Sequence, residues 1–337
     1  MHLLEVRDLV AHFEVQDGWV HAVDDVSVTL DEGRTLGLVG ESGCGKTTLG
    51  YAVTQLLPSN AVIKQGSVFF SGKDLLAVTR MKNGRLREYH PEITKIRWAQ
   101  ISMIFQGAMN AFNPVYRVGD QIIEAIRIHE DADYSSARKR VEHLYSFIGI
   151  PPDRIDHYPH EYSGGMRQRA MIAMALALNP KFIIADEPTT ALDVIMQRRI
   201  LREMQRLQEE FKMAMIIISH DVSTVAEAAD DIAVMYAGKI MEIGTAREIF
   251  KETANPYTEA LLSAFPSIKG PKRRLLTIPG NPPSLLHPPS GCRFHPRCRY
   301  AREICASEPP NFVEIAPGHR SLCHFAREMH EGLLGVR

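Results

Sequence analysis

The sequence predicts an α/β protein built on an open sheet, with a smaller module at its C-terminal end. Three observations predict it. Short apolar runs rich in Val, Ile and Met at residues 35–39, 101–105, 182–185 and 214–218 each end at a polar residue or glycine, the pattern of buried parallel strands. Between about 107 and 178 the hydrophobic periodicity turns helical. From Pro256 onward lie 12 of the chain's 20 prolines and four of its five cysteines, and regular periodicity fades.

The remaining elements follow in order. Residues 3–10, 20–30 and 66–70 are short or alternating, as antiparallel edge strands are. Residues 232–236 and 239–243 flank Ala237-Gly238 and read as a hairpin. Residues 118–129, 135–148 and 166–178 are the helices of an inserted subdomain. The last stops at Asn179-Pro180, because a residue preceding proline is driven out of helical geometry. The expected division is 1–260 for the main domain and 261–337 for the module. Neither an internal repeat nor a low-complexity segment is evident, and Lys272-Arg273-Arg274 reads as a solvated turn or linker.

With Lys+Arg 39 against Asp+Glu 40 the net charge is −1, so no global field draws the chain to nucleic acid or anionic lipid. Hydrophobic residues at 45% and charged residues at 23% are globular values. No uninterrupted apolar run reaches the roughly 18–20 residues of a membrane helix, and no basic-then-apolar leader opens the chain. A cytosolic chain that does not span is expected. In a reducing compartment, four clustered cysteines read as metal ligands before disulfides.

Gly40, Glu41, Ser42, Gly43, Cys44, Gly45, Lys46, Thr47 and Thr48 fit G-x-x-x-x-G-K-[ST] directly after an apolar strand, the context that motif needs. Glycines let backbone N–H groups close around phosphate oxygens, and the helix that follows points its positive end at them. Lys46 is expected to reach the β- and γ-phosphates of ATP, and Thr47 to ligate Mg²⁺. Asp186 and Glu187 end a second buried strand. Either acid is solvated at a bare strand end; beside a phosphate loop, Asp186 holds the magnesium shell and Glu187 orients or deprotonates water. Cys44 reads as a small residue lining the loop.

Ser163-Gly164-Gly165-Met166-Arg-Gln-Arg169, together with the phosphate loop and the acidic strand end, resembles the signature sequence of ABC ATPases. The resemblance covers essentially the whole chain and implies an ABC-type nucleotide-binding domain: a mixed central sheet, antiparallel edge strands and an inserted helical subdomain. It implies that Ser163, Gly164, Gly165 and Met166 complete the ATP pocket of an opposing subunit. Gln106 matches the Q-loop that senses Mg²⁺ and attacking water, His220 the switch histidine, and Asp193 the D-loop. Phe13 resembles the aromatic on which adenine stacks, with core packing as its other reading and Trp19 as a rival. Tyr162 replaces the usual Leu and Met166 the usual Gln. This variant, with Asp186-Glu-Pro-Thr-Thr-Ala-Leu-Asp193, looks like the peptide and nickel importers.

The tail agrees. Gly291-Cys292-Arg-Phe-His-Pro-Arg-Cys298, then Cys305 and Cys323, resembles the tail of oligopeptide and dipeptide permease ATPases. The spacing Cys-x5-Cys-x6-Cys-x17-Cys lacks a tight Cys-x2-Cys knuckle, and relatives carry a [4Fe–4S] cluster there. A four-cysteine Zn²⁺ site, with His295 or His324 able to enter, is the alternative. The resemblance implies an importer ATPase on the cytoplasmic face of the inner membrane. Its expected partners are a second, paralogous ABC ATPase subunit, two integral membrane permease subunits and an extracytoplasmic substrate-binding protein, with no nucleic acid. Peptides are the expected cargo, with nickel or oligosaccharides as alternatives. A soluble ABC ATPase acting on nucleic acid or ribosomes is the competing class; a single cassette and the absence of a long heptad insert count against it. Lys46, Glu187 and His220 together argue against a non-catalytic regulatory subunit.

Overall fold

A computed structural model describes residues 2–87, 89–107, 111–189, 194–264 and 278–334. Its strands are β1 (Leu4–Val15), β2 (Gly18–Leu30), β3 (Thr35–Val39), β4 (Ala61–Phe70), β5 (Lys73–Asp74), β6 (Ile101–Ile104), β7 (Phe182–Asp186), β8 (Ala214–Ser219), β9 (Asp231–Tyr236), β10 (Lys239–Thr245), β11 (Phe312–Ala316) and β12 (His319–Leu322). The chain forms two compact units. One takes residues 1–30, 35–87 and 218–337, and the other residues 31–34 and 88–217.

The first unit holds an antiparallel sheet in the order β2-β1-β4-β5. β1 pairs Leu4 with Leu30 on one side and with Phe70 on the other, and Leu4, Val6 and Leu9 are buried. Irregularities in both registers follow Val6 and Arg7, where Asp8 takes φ 46°. Such a bulge resets which face each residue meets. This is why the alternation expected for 3–10 and 66–70 stops short of the observed strands. The same unit carries the order β11-β12-β10-β9-β3. β3 lies parallel to β9, while β9 and β10 form the expected hairpin through Ala237 and Gly238, both at positive φ as a tight two-residue turn demands. β12 pairs antiparallel with β10 and with β11, a hairpin the sequence reading did not anticipate. Its strands are only five and four residues long, turning at Pro317-Gly318.

The second unit packs parallel β6 and β7, Ile101 opposite Phe182, with β8 next to β7 in the strand order. All residues of β6, β7 and β8 are buried, which explains why they read as continuous apolar runs. Its helices include Val118–His129, Tyr134–Phe147, Gly164–Leu176 and Val194–Phe211. Val118, Ile122, Ile123, Ala125 and Ile126 line one face of the first of these. The third begins two residues before its predicted start, because the Ser163 hydroxyl accepts the Met166 N–H and caps it at Gly164. It ends before the predicted Leu178, with Asn179 in the left-handed region at φ 49° ahead of Pro180.

Candidate functional site

In the first unit, β3 delivers the chain into residues 40–45, and the helix Lys46–Thr54 leaves it. Two glycines are required by the close approach of backbone. A Cβ at Gly40, whose φ is 153°, would sit 2.0 Å from the Met235 carbonyl oxygen, and one at Gly45, at φ 108°, 1.9 Å from that of Ala22. Gly43, at φ 78°, faces open space. Lys46 is buried and threads back through the loop. Its Nζ donates to the carbonyls of Gly40 at 2.8 Å and Glu41 at 3.0 Å. Cys44 is buried, and burial pushes its thiol pKa up. Phe13 is half-buried near the C-terminal end of β1 opposite Val20 and Ala61, whereas the rival Trp19 has Lys64 Nζ 3.3 Å above its ring. His220, directly after β8, is exposed.

In the second unit, Asp186 ends β7 and is buried, while Glu187 leaves the strand at φ 47°. Gln106 Nε2 donates to Glu187 Oε2 at 2.8 Å. Two residues read from separate motifs thus meet directly. Gln168 Nε2 donates to the Pro188 carbonyl, so the helix opened by the signature also holds the segment after Glu187. Ser163 caps that helix and Gly164 to Met166 open its first turn, where the dipole favours an anion. Tyr162, the departure from Leu, is buried with its hydroxyl donating to the Arg154 carbonyl at 2.5 Å and 3.1 Å from the Tyr145 hydroxyl. Those bonds answer the polarity that leucine lacks. Asp193 and Lys272-Arg273-Arg274 lie outside the described residues.

Cys292, Cys298, Cys305 and Cys323 line one cavity of the first unit, with His295 and His324 beside them. The Cys292 N–H donates to the Cys305 carbonyl at 2.8 Å. Desolvation pushes the thiol pKa of Cys298 up to about 11 and that of Cys323 up to about 12. Burial also raises the Cys292 thiol, and three thiols whose ionisation is costly, gathered with a fourth, are a site that a bound cationic centre would relieve. His295 Nδ1 is 3.0 Å from the Cys292 carbonyl, and His324 Nε2 is 3.0 Å from that of Glu308.

Among the described residues, His12, His21 and Asp24 bring ligand atoms within 4.8 Å of one another. Arg293 forms an ion pair with Asp24, which supplies a cation there already; the Asp24 pKa is lowered to about 2, chiefly by hydrogen bonding to His12, with Arg293 contributing. Sequence reading missed Arg293, Arg297, Tyr236 and Tyr257, all of which surround the phosphate loop or its neighbours. Only the placing of both arginines between Cys292 and Cys298 hinted at them.

A family described as "ABC transporter" matches residues 23–190, and one described as "Oligopeptide/dipeptide transporter, C-terminal region" matches residues 241–305. The chain is 45% identical over 309 residues to the oligopeptide transport ATP-binding protein OppD of Haemophilus influenzae, covering 91% of this chain and 92% of that protein. This chain belongs to the ABC transporter ATPases. Within them it falls in the oligopeptide/dipeptide importer subfamily. It is also 45% identical to the Escherichia coli OppD protein, over 95% of this chain and 92% of that one. The E. coli dipeptide transport ATP-binding protein DppD is 42% identical, over 96% and 97%. The fold matches the dimeric ATP-binding cassette MJ0796 at a TM-score of 0.64 and 24% identity, covering 72% of this chain and 99% of that one. The activity of such a chain is ATP hydrolysis coupled to transport, which sets aside the nucleic-acid and ribosome alternative.

Proposed function

We propose that this subunit powers the import of di- or oligopeptides. The observation that carries this reading is that the likeness to ATP-binding proteins named for oligopeptide and dipeptide transport runs through both the cassette and the C-terminal region. The chain then works as a cassette over 1–260, with a helical insert at about 107–178, and a module over 261–337. Its partners are two integral membrane permease subunits, a paralogous ATPase and an extracytoplasmic binding protein, and it sits peripherally on the cytoplasmic membrane face. Among the described residues no helix is long and apolar enough to cross a membrane.

For ATP, Gly40 to Thr48 cradle the phosphates, Lys46 meets the β- and γ-phosphates, and Phe13 stacks on adenine. In its present pose Lys46 Nζ binds loop carbonyls, and phosphate oxygens would take over those donors. Thr47, Gln106 and the buried Asp186 are the residues that would hold Mg²⁺, which supplies charge neutralisation of the phosphates. Glu187 orients and deprotonates the attacking water, with Gln106 supporting its carboxylate, and His220 contacts the γ-phosphate. Ser163 to Met166 and Asp193 serve the partner's nucleotide. Cys292, Cys298, Cys305 and Cys323, which line one cavity, would hold a [4Fe–4S] cluster, with Zn²⁺ as the alternative. The cluster would act as a staple for a module with little core.

The test is affinity purification of the full chain from membranes, identifying every co-purifying subunit and assaying iron and sulfide in the same sample. Permeases and a peptide-binding protein are expected; recovery with ribosomes, or with permeases for another cargo, would sink the reading. Glu187→Gln is expected to bind ATP and accumulate as a closed dimer with turnover lost.

A further inference from the structure

The loop that carries Cys292 and Cys298 also reaches the phosphate loop. Arg297, 8% exposed, donates from Nη1 to Glu41 Oε2 at 2.6 Å and from Nη2 to Glu41 Oε1 at 2.9 Å. Its Nε donates to the Pro279 carbonyl at 2.8 Å, Nη2 also to that of Gly280 at 3.2 Å, and Nη1 to the Tyr236 hydroxyl at 3.1 Å. A guanidinium has five N–H donors, and here there are five acceptors. Glu41 is held equally closely at its backbone. Its N–H donates to the Tyr257 hydroxyl at 3.0 Å, and its carbonyl accepts from Lys46 Nζ at 3.0 Å. Tyr257 is kept in place by Tyr236 and Phe294, with ring centroids 4.5 and 5.2 Å away.

Glu41 is the second residue of the loop, and its backbone carbonyl shares the Lys46 ammonium with that of Gly40, so a displaced or unpaired Glu41 acts directly on the loop that is to hold the polyphosphate. An unpaired negative charge there opposes a nucleotide carrying several more. A permanently protonated, bidentate partner cancels that charge and fixes the direction of the side chain. We propose that Arg297 is a positioning residue for nucleotide binding. Acting through Glu41, it makes the affinity of the phosphate loop depend on a side chain supplied by the cysteine module. The proposal rests on the reading of residues 40–48 as the ATP site.

The experiment measures binding of a fluorescent ATP analogue with Mg²⁺ to the full chain, alongside melting temperatures without nucleotide. Arg297→Ala is expected to weaken binding about tenfold or more, the scale of a lost charge-assisted hydrogen-bond pair. Arg297→Lys keeps charge and stem but not the fork, and is expected to fall between Arg297→Ala and the parent, giving a folded comparison if alanine is not tolerated. The deciding variant is Glu41→Gln combined with Arg297→Ala or Arg297→Lys. With no carboxylate left to neutralise, the double variant is expected to bind within about threefold of Glu41→Gln alone. A role confined to docking the module predicts instead that the double variant binds as weakly as the arginine variant. That result, or an arginine variant binding within twofold of the parent, overturns the proposal. Lys46→Ala separates the two levels: if it leaves binding intact, the nucleotide reading of the loop fails, whereas loss of binding there with no effect at Arg297 refutes the proposal alone.

Discussion

Glu242→Ala should unfasten the C-terminal hairpin from the sheet of the first unit. Glu242, on β10, has no exposed surface, and neither does His319, on β12. One carboxylate oxygen takes the His319 Nε2 proton at 2.8 Å and the Ala254 N–H at 2.6 Å, while the other takes the Thr253 hydroxyl at 2.8 Å. Alanine leaves the buried His319 and Ala254 donors and the half-buried Thr253 hydroxyl without their acceptor, as well as a void. Breaking a buried, hydrogen-bonded ion pair costs about 3–5 kcal/mol, so a loss of that order is expected for the first unit. Glu242→Gln keeps the shape and an acceptor and should cost nearer 1–2 kcal/mol. The His319 pKa is raised: burial opposes the charge, but Glu242, Glu248 and Glu252 together outweigh it. A base whose folded pKa is raised contributes stability fully below its unfolded value of about 6.5, and that contribution disappears as pH climbs through the folded value. The parent should therefore lose stability on going from pH 6 to pH 8, and Glu242→Gln should lose less. Denaturant unfolding at both pH values, followed by fluorescence and by circular dichroism, measures this. A Glu242→Ala chain within 1 kcal/mol of the parent, or a glutamine variant with undiminished pH dependence, would refute the argument.

Gly45→Ala should weaken Mg-ATP binding at least tenfold in titration calorimetry, because a Cβ there meets the Ala22 carbonyl at 1.9 Å on a backbone at φ 108°. The Gly43→Ala chain, with open space at its Cβ, keeps only the strain of φ 78° and should suffer less. Ser163→Ala removes the hydroxyl that accepts the Met166 N–H at 3.3 Å, and should destabilise the helix Gly164–Leu176 by about 1 kcal/mol, read as faster amide exchange in its first turn.

Motif residues were legible because each motif is a contiguous stretch whose spacing the backbone enforces. Residues 40–48 carry their own glycines, their own lysine and the strand before them. The central strands were equally legible, since burial on both faces leaves an uninterrupted apolar run. What escaped reading depended on position in space. The β11–β12 hairpin lacks a long apolar pattern, and it is held by Asn255, which donates to the Met241 carbonyl and the Ser321 hydroxyl. The bulge at Asp8 ended the visible alternation of β1 before the strand itself ended.

The sequence by itself determined the class of this protein: a phosphate loop, an acidic strand end, a signature helix and a cysteine tail, each a local pattern with a local physical cause. Tertiary structure alone decided which side chains meet. Gln106 reaches Glu187 across 81 residues and Arg297 reaches Glu41 across 256. No periodicity or spacing encodes such pairs, because strand register and the turns between elements set them. The cysteine tail looked like an appendage in sequence. In the folded chain it supplies the arginine that holds the phosphate loop.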